Sequence, residues 1–187
     1  MKMHNPAIAG LLLLLVGCQT SDVPSSGPVP VDMGSSAVRI DGLERFHQTA
    51  EVVTKWCRDT KYETDRRAAA VSAIRAALDS HAAALSGGLQ LEVSRLTTRV
   101  RCNMDGFGGL GSYCVADSSL TVVASGKDRK GQDVRLQANQ DVSERVEGTI
   151  LCIHVMPAVS KSVDKSLELS LADLQRGLSA QTGVPAR

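Results

Sequence analysis

From Leu89 onward the apolar residues of this chain stop recurring at helical spacing and begin to alternate. Leu89, Leu91 and Val93 are separated by Gln90 and Glu92, a period of two that turns one face of an extended strand toward a core. Leu96, Val100, Cys102 and Met104 continue in the opposite parity, so the phase slips near Ser94-Arg95, the signature of a β-bulge or break. A second strand is predicted from about Tyr113 to Ser125, with Cys114, Ala116, Leu120, Val122 and Ala124 on one face. Gly126-Lys127-Asp128-Arg129-Lys130-Gly131 reads as a polar hairpin turn. Val134, Leu136 and Ala138 mark a third strand and Thr149 to Val155 a fourth. Strands that alternate in this way need one face covered and leave the other wet.

The covering elements are helical. Asp41-Gly42-Leu43-Glu44 has the spacing of a capping box, and Leu43, Phe46, Ala50, Val53 and Cys57 would form one apolar stripe, with Trp56 beside it. A second helix is expected from about Arg66 to Ser86, capped by Thr64 or Asp65 and stopped by Gly87-Gly88. Its inward residues are Val71, Ile74, Leu78 and Leu85, with His81 on or near the stripe as a structural histidine. Pro157 could open a last helix whose buried positions are Val159, Val163, Leu167, Leu171, Leu174 and Leu178. With a short strand at Ala37 to Ile40, the order is β-α-α-β-β-β-β-α. The expected fold class is α+β: a four-stranded antiparallel sheet with about three helices packed on one face, forming a single domain over residues 37–187.

Ahead of this domain lies a segment of another kind. Lys2 is followed by an apolar run from Ala7 to Val16. About ten residues suit a signal peptide, whereas a membrane-spanning helix needs roughly 20. The run ends in Leu15-Val16-Gly17-Cys18, which resembles the lipobox of bacterial lipoproteins. That resemblance implies loss of residues 1–17 as a signal peptide, a diacylglycerol on the Cys18 sulfur, and acylation, as by palmitate, of the new amino terminus. Two or more acyl chains hold a protein stably where one binds marginally. Gln19, in place of Asp, implies by the same family's rule the outer membrane, facing the periplasm. Residues 18–36 then act as a flexible tether, rich in Ser, Pro and Gly, in which Pro24, Pro28 and Pro30 prevent regular helix.

Without residues 1–17 the chain keeps 170 residues, with 20 Lys plus Arg against 20 Asp plus Glu. Zero net charge provides no global field to attract nucleic acid, and 3% aromatic content leaves few rings for stacking on bases. Nucleic acid is not an expected partner. With Cys18 committed to lipid, Cys57, Cys102, Cys114 and Cys152 remain, an even number in an exported chain. Three pairings are open. Cys102 and Cys114 share the apolar phase of neighbouring strands around one loop, which favours their pairing and leaves Cys57 for Cys152.

No stretch carries a catalytic signature: HExxH, GxSxG and paired CxxC knuckles are all missing from the sequence. His47, His81 and His154 are scattered, no cofactor or metal site is expected, and an enzyme is unsupported. The glycine-rich loop Asp105 to Ser112 joins two strands rather than a strand and a helix, so it is a connection and not a phosphate cradle. Its apolar Phe107 and Leu110 are candidates for binding a partner. Arg95, Thr97, Arg99, Arg101 and Asn103 fill the polar phase of the first long strand. With Arg135 on the third, and partly neutralised by Asp117 and Asp133, they read first as a solvated sheet face. Arg99 and Arg101 are the binding candidates if that face meets anionic lipid headgroups or an acidic protein. The shape of residues 37–187 loosely resembles small transport-auxiliary and lipopolysaccharide-assembly lipoproteins, on no shared motif. That resemblance implies a non-enzymatic accessory or scaffold that binds another envelope protein. The alternatives are a carrier with a ligand or lipid cavity between sheet and helices, and an envelope hydrolase whose residues converge only in the fold.

Overall fold

The computed structural model of the chain describes residues 36–53, 62–104, 112–148 and 155–185. In chain order these form β1 (Val38–Asp41), a 3₁₀ turn (Leu43–Phe46), β2 (His47–Val53), β3 (Tyr62–Asp65), α1 (Arg67–Ala83), β4 (Leu89–Met104), β5 (Ser112–Lys127), β6 (Asp133–Gly148) and α2 (Val155–Thr182). The class is α+β, as expected. The described sheet, however, has six strands in the order β3-β2-β4-β5-β6, with β1 also on β4.

Strands β4, β5 and β6 are 16 residues each and form two antiparallel ladders. Their register slips between Val93 and Arg95, where the change of apolar parity predicts it. The slip has a partner on the neighbouring edge. β1 pairs parallel with residues 89–92 of β4, and β2 pairs parallel with residues 99–101. The 3₁₀ turn falls in the gap between them, and there the Arg45 Nε donates a 2.8 Å hydrogen bond to the Val93 carbonyl. One interrupted strand therefore runs along β4 and steps out where β4 bulges.

This corrects two expectations. The sheet is mixed rather than purely antiparallel, and the first predicted helix is a single 3₁₀ turn followed by a strand. Gly42, at the N-cap, is left-handed, and no side chain caps the turn. The apolar spacing of Leu43, Phe46, Ala50 and Val53 fits a helix, but the open edge of β4 offers unpaired N–H and C=O groups that an extended chain satisfies. The β-branched Val52 and Val53 suit that conformation. Phe46 is completely buried beneath the turn. Only two helices are present among the described residues instead of about three. The expected fourth strand at Thr149 to Val155 lies, up to residue 154, outside the described residues, and Val155 itself opens α2.

Helix α1 begins where Asp65 accepts the Arg67 N–H at 3.0 Å. The Arg67 guanidinium bound to the same carboxyl group holds Asp65 down at about 2. Val71, Ile74, Leu78 and Leu85 are all buried, as their spacing predicts. On α2 the six predicted apolar positions are buried too, together with Ala158, Ser162, Ser166 and Ser170. Small residues at intervals of four let this helix lie close on β5 and β6. The two helices run parallel: Arg66 pairs with Asp164, and Gln175 donates to the Ala77 carbonyl at 2.9 Å, both links spanning 98 residues. Leu120, Val122, Leu174 and Leu178 fill the space between sheet and helices, each contributing about 1.5–3 kcal/mol by leaving water.

Candidate functional site

Because both helices lie on one side, the other face of β4, β5 and β6 is uncovered among the described residues. Cross-strand register orders it into rows: Arg95–Thr121–Asn139, Thr97–Ser119–Asp141, Arg99–Asp117–Ser143, Arg101–Val115–Arg145 and Asn103–Tyr113–Glu147. The bulge is what brings Arg95, Thr97, Arg99 and Arg101 onto this face. Without it, their positions would point into the core. Arg95, Thr97, Arg99, Asp117, Ser119, Asp141 and Ser143 line a shallow depression of about 670 Å³.

The charges on this face are unequally committed. Arg101 reaches diagonally to Asp117 at 2.8 Å. Arg145 stacks 3.7 Å from the centre of the Tyr113 ring and pairs with Glu147 at 3.1 Å. The Ser119 hydroxyl donates to Asp141. Arg95 and Arg99 are exposed, and among the described residues neither guanidinium makes an ion pair or hydrogen bond. The depression thus presents two uncommitted guanidinium groups above hydroxyl-bearing Thr97, Ser119 and Ser143. Such a surface can hold carboxylate or phosphate groups by charge-assisted hydrogen bonds.

Of the sequence candidates, Arg99 and Arg101 come together on this face, Arg101 already paired. Asp117 neutralises Arg101, whereas Asp133 sits at the far end of β6 opposite Lys127. Cys102 and Cys114 face each other across β4 and β5 and form a disulfide with their Cα atoms 4.1 Å apart. Cys18, Cys57, Cys152, Phe107, Leu110 and His154 lie outside the described residues. Sequence reasoning missed Ser119, Asp141 and Ser143, because residues 139–147 are largely polar in both phases and hide their alternation.

The histidines do not converge. His47 is exposed on β2 opposite Asp65, whereas His81 is buried with no hydrogen-bond partner for Nδ1. Burial alone pushes the His81 imidazole below its ordinary value. The sequence predicts a satisfied structural histidine here; the residue is buried, but one ring nitrogen is unsatisfied. No group of three or more His, Cys, Asp or Glu among the described residues could hold a metal ion. A second hollow, about 540 Å³, runs between the helices over Ala69, Ala73, Ala76, Leu167, Leu171 and Ala172. It is apolar and lies on the outside of the helices, not between helices and sheet.

No protein-family model matches the chain, and no curated protein does. Among solved structures, it is similar to a minor lipoprotein from Acinetobacter baumannii, at 12% identity over 71% of this chain and 87% of that one, with a TM-score of 0.29. It is also similar to a protein assigned as a lipoprotein in Caulobacter crescentus CB15, at 16% identity over 77% of this chain and 95% of that one, with a TM-score of 0.32. Likeness at these scores transfers neither fold nor function.

Proposed function

We propose that this chain is a lipid-anchored lipoprotein of the bacterial cell envelope, a non-enzymatic accessory that binds another envelope protein. The observation that carries the reading is the short apolar run ending in Leu15-Val16-Gly17-Cys18. Acyl chains on Cys18 would hold the protein without a spanning helix, and no helix among the described residues is long and apolar enough to cross a membrane. The Cys102–Cys114 disulfide fits an oxidising compartment outside the cytoplasm. Gln19 after Cys18 supports the outer membrane, with the domain in the periplasm. The partner surface in this reading is the open sheet face, where Arg95 and Arg99 await acidic groups.

Crosslinking of the full-length protein in its native envelope, followed by mass spectrometry, tests the reading. One partner recovered with the wild-type chain, and lost with Cys18→Ala and with the pair Arg95→Gln and Arg99→Gln, is the expected result. Recovery of no partner above background would remove it. The apolar hollow between the helices favours a second reading, a carrier for an acyl chain. Native mass spectrometry of purified protein without bound lipid would end that one.

A further inference from the structure

The chain arriving from Cys18 enters the described domain at Ser36, and strand register fixes which end of the sheet this is. Val38 stands opposite Leu89, Leu89 opposite Gly126, and Gly126 opposite Val134. The turn between β5 and β6 therefore projects from the end at which the tether arrives. Two backbone hydrogen bonds tie this corner together: Leu89 N to the Ala37 carbonyl and Ser86 N to the Lys127 carbonyl, each 2.8 Å.

That turn is basic. Lys127, Arg129, Lys130 and Arg135 are all exposed, and among the described residues none of them forms an ion pair. Of the two acids in the hairpin, Asp128 is occupied by the turn itself, its carboxylate accepting the N–H groups of Lys130 and Gln132 at 2.8 Å each. Asp133 is exposed opposite Lys127. Asp128 also accepts the Gly131 N–H on its carbonyl at 3.0 Å. Asp128 thus fixes the loop's backbone while keeping its charge, and with Asp133 it offsets two of the four cations, so the segment from Lys127 to Arg135 carries a net +2 on a preformed turn.

We propose that the hairpin from Lys127 to Arg135 is the membrane-facing edge of the domain and docks on anionic phospholipid headgroups of the bilayer that holds Cys18. The proposal rests on the lipid-anchored reading. Residues 19–35 allow a reach of about 60 Å at full extension, so the domain stays near the surface and a weak contact is made at high effective concentration. Basic side chains are drawn to an anionic surface within a Debye length, so the contact dissolves in salt. Docking at this end leaves Arg95 and Arg99, in the middle of the open face, clear of the bilayer.

The test is lysine acetylation of the protein extracted from its native membrane and placed in two kinds of vesicle, phosphatidylethanolamine–phosphatidylglycerol and phosphatidylcholine, read residue by residue by mass spectrometry. Lys127 and Lys130 should lose reactivity severalfold in the anionic vesicles, while Lys161 and Lys165 on α2 do not change. The protection should disappear at about 0.5 M salt and in the double variant Arg129→Gln, Arg135→Gln. The mass of the amino-terminal peptide in the same samples reports acylation separately. Acylated Cys18 with equal lysine reactivity in both vesicles overturns the docking alone. Unmodified Cys18 overturns the anchor and the docking with it.

Discussion

Ser162 on α2 donates a 2.7 Å hydrogen bond to Ser118 on β5, where both residues are buried. Ser118 lies 3.3 Å from the Thr98 hydroxyl on β4, so three hydroxyl groups connect the helix to two strands through the core. Burying a hydroxyl is costly unless it is bonded, so each member depends on its neighbour. Ser118→Ala, which removes the partner of Thr98 and leaves Ser162 only its longer 3.4 Å bond to the Val142 carbonyl, should cost about 1–3 kcal/mol, and Ser162→Ala about 1 kcal/mol. The double variant should lose less than the sum by about 0.5 kcal/mol or more. Urea denaturation of the four proteins measures this, and strict additivity would mean that the hydroxyl groups do not act as a chain.

Gly87 and Gly88 lie beyond α1, which closes at Ala83 with a right-handed Ala84 as its C-cap, and with φ of 87° and 84° they should respond differently to the same change. A Cβ on Gly87 meets nothing within 4 Å, so Gly87→Ala incurs only left-handed backbone strain, about 1–2 kcal/mol. A Cβ on Gly88 would stand 2.4 Å from the Ala37 carbonyl oxygen, the acceptor that joins β1 to β4. Gly88→Ala should therefore cost about 3 kcal/mol or more and free β1 from the edge. Thermal melts separate the two, with amide exchange at Leu89 as the local readout. Equal losses would show that the close approach to Ala37 is unimportant.

These positions show what a one-dimensional reading can reach. The bulge at Ser94-Arg95 and the buried stripes of α1, β5 and α2 are legible because each is a local periodicity or its interruption, whereas α1 closes at Ala83, short of the Gly87-Gly88 stop that the sequence predicts. The stretch from Leu43 to Val53 is not legible, because its conformation is decided by the free edge of β4, some 45 residues later in the chain. The open face is half legible. The arginines announce themselves on β4, whereas Ser119, Asp141 and Ser143 join them only through a register that no single strand encodes. The buried serines of α2 escape for a different reason: serine at a core position looks like surface until the hydroxyl of Ser118 is seen to meet it.

The Cys102–Cys114 disulfide closes a separation of 12 residues at the end of an existing ladder. In the chain-entropy view it acts on the unfolded chain, and a loop of that size is worth about 3 kcal/mol. The double variant Cys102→Ala, Cys114→Ala should lose roughly that much in urea while keeping its far-UV circular dichroism, because the β4–β5 pairing continues from Leu89 to Asn103 without it. A loss of strand signal in the native baseline would instead make the bridge a condition of forming the hairpin.

His81 gives the fold a dependence on acid. It is buried, Nδ1 has no partner, and burial depresses its titration below the ordinary 6.5. The unfolded chain therefore binds a proton at a pH where the folded one does not, and stability rises with pH across that interval. The contribution is complete above about pH 6.5 and is lost progressively as the pH falls through the lowered value for the folded state. The wild-type urea midpoint should drop between pH 7.5 and 5, and His81→Leu, which cannot take up a proton, should drop less. Parallel pH profiles for wild type and His81→Leu would mean that the imidazole finds a way to be solvated in the folded state, and the unsatisfied Nδ1 would then need a water to accompany it.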